Sequence, residues 1–189
     1  MSDPYTYEHL DDAVKIVDTA ENPPVSVRLL DVLPGAKTDD IRCELRCVTL
    51  SNGVDYEALS YTWGAPDCVH QIRCGDRFLM VTVTIKEALE TLRDPKRIRT
   101  MWVDQLCINQ EDVDERNSQV RNMHHVYQQA TRTVIFLGSV KNGTLSQLGS
   151  MTLWKHYYHA WKSRKSKSDI FEEYERLFSH PWFRRVWIL

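Results

Sequence analysis

Met101 to Gln110 carries a carboxylate and three carboxamides, Asp104, Gln105, Asn109 and Gln110, inside an otherwise apolar run. A carboxylate removed from water without a partner is costly, so Asp104 must meet a cation or face a crevice. Arg116 falls on one helical stripe with Val120, Met123 and Tyr127, which predicts a guanidinium turned toward the sheet. Two readings follow and stay open: a structural Asp104 to Arg116 ion pair, or a pair that binds a ligand. Glu115 is a further carboxylate, but Asp112 ahead of it makes a capping box that accounts for it without acid or base chemistry. Cys107 with His124 or His125 has the atoms of a thiol nucleophile, although a cysteine in an apolar strand is ordinarily inert packing. Cys68, His70 and Cys74 lack a fourth ligand, so no metal site is expected. With neither a Walker loop nor a GxGxxG motif, any nucleotide site must be of another design.

Such residues act only if the fold brings them together. Val25 to Val32, Ile41 to Leu50 and Tyr56 to Trp63 read as strands divided by Pro34-Gly35 and Asn52-Gly53 turns, an antiparallel start. A hairpin of Gln71 to Cys74 and Phe78 to Val83 follows around Gly75-Asp76. Thr84 and Glu87 form a capping box for a helix whose inner face is Ile85, Ala88, Leu89 and Leu92. Met101 to Ile108 reads as a strand buried on both faces, hence central. A helix from Asp112 and a strand from Arg132 to Leu137 come next. Strand and helix alternating at this spacing predict right-handed crossovers and a parallel sheet. Beyond it, Leu145 to Tyr158 and Ile170 to Phe178 read as helices, Lys162 to Ser168 as a solvated basic linker, and Trp182 to Leu189 as a last strand. Open α/β sheets bind ligands at the carboxyl ends of their strands. Asp104, Asn109, Gln110 and Arg116 are therefore expected to converge there, beside a wall of Tyr61, Trp63 and Gly64 whose rings can stack on a base or a nicotinamide.

Composition excludes several alternatives. At 42% hydrophobic and 26% charged residues the chain is that of a folded domain, and its net charge of −2 creates no general attraction for nucleic acid or anionic lipid. Apolar runs such as Val134 to Leu137 are far short of the roughly 20 residues of a membrane span. Met1 to Leu10 has neither a basic start nor an apolar stretch, and the five cysteines form no CxxC pair. Both features point to a cytoplasmic protein with reduced thiols. Residues 1–24, polar and ending in Asn22-Pro23-Pro24, read as a flexible arm.

The ordered motifs Tyr56-Glu57-Ala58-Leu59-Ser60-Tyr61-Thr62-Trp63-Gly64, Trp102-Val103-Asp104, Cys107-Ile108-Asn109-Gln110, Glu115-Arg116 and Gln119-Val120 closely resemble the fungal heterokaryon incompatibility (HET) domain. Pro181-Trp182-Phe183-Arg184-Arg185-Val186-Trp187 is similar to that family's closing motif. The resemblance implies a domain over residues 25–189 that triggers programmed cell death in fungal allorecognition, activated by self-association or by receptor-like modules. It also implies an α/β fold similar to Toll/interleukin-1 receptor (TIR) or flavodoxin-like domains: a parallel sheet flanked by helices, here with an antiparallel N-terminal β extension and C-terminal helices. Some TIR domains cleave NAD with a glutamate and others only assemble, so two alternatives accompany the effector reading, an NAD glycohydrolase and a non-catalytic adaptor. In the enzymatic version Asp104, Glu115 and Arg116 carry the chemistry, Tyr61, Trp63, Gly64, Asn109 and Gln110 bind the ligand, and NAD is substrate rather than cofactor. Family members usually continue with Gln-Glu beyond the point where this sequence stops, at Leu189, so a domain truncated at its C-terminal end is expected. Thr84-Ile85 stands where the family usually has Asn-Leu, which keeps both capping ability and apolar size.

Overall fold

The structure, a computed structural model, describes residues 3–10, 25–50, 53–138, 175 and 178–184. The chain divides into two compact units, residues 1–134 and 135–189. In the first, β1 (Val25–Val32) carries apolar or buried side chains on both faces, with Val27, Leu29 and Leu30 fully enclosed. A strand apolar on both sides must be interior. It lies at the centre of a seven-stranded mixed sheet of order β5-β4-β2-β1-β6-β3-β7, in which β2 is Arg42–Leu50, β3 Glu57–Tyr61, β4 His70–Cys74, β5 Arg77–Val81, β6 Arg99–Trp102 and β7 Arg132–Phe136.

This architecture corrects the expected parallel sheet with an antiparallel extension. β1 runs antiparallel to both neighbours, β2 and β6, so the N-terminal strands form the middle of the sheet. Among the described residues, β2 with β4 and β3 with β6 pair in parallel. β3 does not extend the β1–β2 hairpin but pairs with β6 on the other side of β1. The β4–β5 hairpin forms where expected, because Gly75 adopts φ +59, a turn conformation that costs glycine nothing and other residues more.

Helix α1 (Val83–Leu92) buries Ile85, Ala88 and Leu89. Its cap is Thr82, whose hydroxyl accepts from the Ile85 amide at 3.3 Å, so the expected Thr84–Glu87 box is displaced by two residues. Thr82→Ala should therefore cost about 1 kcal/mol and Thr84→Ala less than about 0.5 kcal/mol, measured as urea unfolding midpoints. Equal losses would restore the displaced box.

The expected strand Met101 to Ile108 ends at Trp102, and a one-turn helix α2 (Asp104–Cys107) replaces its second half. Helix α3 (Val113–Gln129) is capped by Asp112, which accepts from the amides of Asp114 and Glu115. Its buried residues are Gln119 and Val126, whereas Val120, expected inside, is 55% exposed.

The segment expected as a loose arm is docked over residues 3–10. Tyr5 donates its amide to the Phe78 carbonyl at 2.8 Å, Phe78 returns one to Asp3 at 3.1 Å, and Leu10 is buried. Residues 11–24 lie outside the described residues, as do the expected helix of residues 145–158 and, apart from Glu175 and Phe178, the expected helix of residues 170–178. In the second unit, Pro181–Arg184 forms a 3-10 turn in place of the start of the expected last strand, with Trp182 edge-on to Phe183.

Candidate functional site

At the carboxyl ends of parallel β3 and β6, Asp104 collects donors from three directions. Tyr61 Oη donates to Oδ1 at 2.9 Å, Trp63 Nε1 to Oδ2 at 2.9 Å, and the Gln105 amide to Oδ1 at 2.7 Å. The Asp104 backbone carbonyl accepts from Gln110 Nε2 at 3.0 Å, and Gln105 takes a hydrogen bond from Thr82. Charge-assisted hydrogen bonds of this kind satisfy much of what a buried carboxylate loses on leaving water. Burial and the neighbouring Asp104 charge push the Tyr61 hydroxyl well above its ordinary range, so it remains a protonated donor.

Local geometry explains why the sequence reaches this arrangement. After Val103 the chain leaves the extended strand, and the amides of Leu106 and Cys107 bond back to the Val103 carbonyl. That turn lifts the Asp104 side chain toward Tyr61 and Trp63. Gly64 follows with φ +72, and a Cβ there would stand 2.7 Å from Thr84 Oγ1. Only glycine lets the backbone turn so close to α1 directly after Trp63. Trp63 is 36% exposed, leaving its ring at the rim, while Tyr61 is enclosed.

Behind this loop lies a buried ion pair that sequence reasoning missed. Arg28, at the middle of β1 and with its side chain only 1% exposed, meets both Glu115 oxygens at 2.6 and 3.0 Å. Its guanidinium also donates to the carbonyls of Cys107, at 3.3 Å, and Glu8, and lies 5.0 Å from the Tyr7 ring centroid. Glu115 Oε1 accepts the Asn109 amide at 2.7 Å, and Tyr7 Oη donates to the Leu106 carbonyl at 3.1 Å. Burial works against the Arg28 charge, and the Glu115 hydrogen bond and charge reverse that effect, holding the guanidinium protonated. Arg28, Glu115 and Tyr7 thus grip residues 106–109 from behind, and Asp104 stands at the start of that loop. The available signal was an arginine inside an otherwise buried strand, Val25 to Val32, which demands a carboxylate elsewhere.

Tyr61, Trp63, Asp104 and Gln110 are therefore brought together, with Gly64 shaping the turn. Asn109 borders them: its side chain accepts the Glu111 amide and its backbone is held by Glu115. The expected Asp104–Arg116 pair does not form. Arg116 is exposed and donates to the Gln110 carbonyl at 3.1 Å, because α3 turns Glu115 rather than Arg116 toward the sheet. Glu115 likewise does not close a capping box; its carboxylate goes to Arg28. Arg116→Ala should leave thermal stability within about 0.5 kcal/mol of wild type, a value typical of surface positions. A larger loss on melting would contradict this placement.

Cys107 is fully buried against the Val103 amide, and burial pushes its thiol up to about 12, so it is protonated and unreactive at neutral pH. His124 and His125 pack on each other at 3.8 Å. Among the described residues no group of three or more His, Cys, Asp or Glu could hold a metal ion. A cleft of about 620 Å³ opens at the other edge of the sheet, where β3 and β6 begin. Its Arg99 and Arg132 are both bound to Glu57, and Arg97 lies near Asp94, so its charges already answer one another. The convergent donors around Asp104 make the carboxyl edge the better candidate.

These observations define a mixed α/β domain with an aromatic-clamped aspartate at the carboxyl edge of its sheet and a buried arginine–glutamate brace behind it. The chain belongs to the heterokaryon incompatibility (HET) family, whose description, "Heterokaryon incompatibility protein (HET)", matches residues 56–189. It is also similar to "Heterokaryon incompatibility protein 6, OR allele" of Neurospora crassa, 26% identical over 215 residues covering 89% of this chain. The chain spans 32% of the length of that relative. No solved structure matches it.

Proposed function

We propose that this chain is an effector domain of fungal heterokaryon incompatibility, acting in the cytoplasm and triggering cell death once a second copy or a receptor-like partner gathers it. Family membership and the name of the Neurospora relative support the setting. The observation that carries the mechanism is the commitment of both candidate carboxylates. Asp104 accepts from Tyr61, Trp63 and Gln105, and Glu115 is spent on Arg28 and the Asn109 amide. A base for NAD cleavage needs an oxygen turned to the substrate. A rigid rim with Trp63 partly exposed suits recognition instead, since aromatic side chains supply contact area at low entropic cost. The TIR-like likeness belongs to the same reading: β6 feeds α2 and α3 at its carboxyl end, beside parallel β3.

Fusing the full chain to an inducible dimerising module in fungal cells should cause death when the dimeriser is added. Purified protein clustered in the same way and given NAD should release no nicotinamide above a protein-free blank. Survival on clustering would overturn the effector reading. Nicotinamide release that disappears in a Glu115→Gln protein still folded by circular dichroism would replace it with a glycohydrolase.

A further inference from the structure

Two of the five cysteines stand side by side on adjacent strands of the sheet. Cys43 on β2 is the direct partner of Cys74 on β4 in a parallel ladder of two registered pairs, which turns both side chains to one face. The Gly75 amide bonds the Cys43 carbonyl at 3.0 Å and the Arg73 amide the Ile41 carbonyl at 3.1 Å, which fixes the register on either side. Neighbouring strands lie about 4.8 Å apart, and disulfides span Cα separations of roughly 4.4–6.8 Å, so the pairing falls within disulfide reach. Both side chains are buried, and the Cys43 thiol sits 3.4 Å from the Arg73 carbonyl.

We propose that Cys43 and Cys74 form an oxidisable dithiol that closes to a disulfide on reaction with a peroxide. The close approach of the two sulfurs draws the Cys74 thiol below its ordinary range against the opposing effect of burial, with help from the Leu45 amide, while the same approach and burial raise Cys43. Cys74, which ends β4 beside the Gly75 turn and is the less enclosed of the two, is the attacking sulfur. Its thiolate takes one oxygen of hydrogen peroxide, the O–O bond breaks, and the departing hydroxide leaves as water, giving a sulfenic acid at Cys74. Cys43 then attacks that sulfur, its proton goes to the departing hydroxyl, and a second water leaves as the S–S bond forms. Two thiols and one peroxide thus become one disulfide and two waters.

The consequence lies in the sheet edge. Two registered pairs join the β4–β5 hairpin to β2, and β5 is the strand against which Asp3 to Tyr5 dock. A covalent link between β2 and β4 staples that edge and, by closing the loop between the two cysteines, raises stability.

The test treats the full chain in its native state with a small molar excess of hydrogen peroxide, then alkylates remaining thiols under denaturing conditions and digests with trypsin. Cleavage at the flanking arginines releases Cys43-Glu44-Leu45-Arg46 and Cys74-Gly75-Asp76-Arg77. These two peptides should appear linked, two hydrogens lighter than their sum and separable by dithiothreitol, and the oxidised protein should melt several degrees higher. Cys43→Ser should abolish the link and carry Cys74 on to the sulfinic acid. Full alkylation of both cysteines after treatment, or a link through exposed Cys47 or Cys68 instead, would overturn the proposal.

Discussion

Arg28→Ala should lose about 3–5 kcal/mol of stability, the cost expected when one partner of a buried ion pair is removed. The residue sits mid-strand in β1, and its guanidinium neutralises Glu115 while satisfying the Cys107 and Glu8 carbonyls. Truncation leaves the Glu115 carboxylate enclosed with only the Asn109 amide of its described partners. Against a typical total of about 5–15 kcal/mol, such a loss is enough to make the protein scarce in cells. Thermal melting should show a drop of roughly 6–20 °C, by the usual conversion for chains of this size. Arg28→Met combined with Glu115→Leu should be more stable than either single variant, because apolar replacement of both partners removes the stranded charge. A single variant melting like wild type would mean that the pair is no brace.

Asp104→Ala should cost about 2–4 kcal/mol, because a hydrogen bond to a charged group contributes about 1.5–3 kcal/mol and, among the described residues, Asp104 accepts from the side chains of Tyr61 and Trp63, the latter a partly exposed ring. Tyr61 Oη then loses this acceptor inside the fold, and Trp63 loses the tether that fixes its ring at the rim. Urea unfolding should show the loss, and the fluorescence of Trp63 should become that of a more mobile, wetter indole. Unchanged unfolding would contradict the clamp.

Why part of this was legible and part not follows from particular residues. β1 and the Gly75 hairpin were readable because apolar enclosure and a turn glycine leave local signatures. The order of strands was not, since pairing β1 with both β2 and β6 depends on contacts distant in sequence. Helix α3 illustrates a different obstacle. Its inner side in the first half is Glu115 and Gln119, polar residues that answer Arg28 and the Ser26 carbonyl, whereas apolar Val120 points out. An apolar stripe therefore misleads by one residue, about 100° of rotation, and that single step exchanges Glu115 for Arg116. Tyr61, Trp63 and Gln110 could be associated with Asp104 because they close the same two strands, β3 and β6. Val103 to Cys107 reads as strand because Val103, Leu106 and Cys107 continue the apolar run of Met101 and Trp102, yet the turn that presents Asp104 is set by backbone bonds to the Val103 carbonyl.

Asp104→Asn separates the clamp's contribution to function from its contribution to folding. Asparagine keeps the volume and can still accept from Tyr61, but its amide hydrogens face the Trp63 indole N–H, donor against donor, so the ring must leave its position. Expressed in full-length protein at abundance matched to wild type and clustered with the same dimeriser, Asp104→Asn should remain folded, melt within a few degrees of wild type, and fail to kill. Killing at the wild-type rate by a folded Asp104→Asn protein would show that the Tyr61–Trp63–Asp104 cluster is not the functional site.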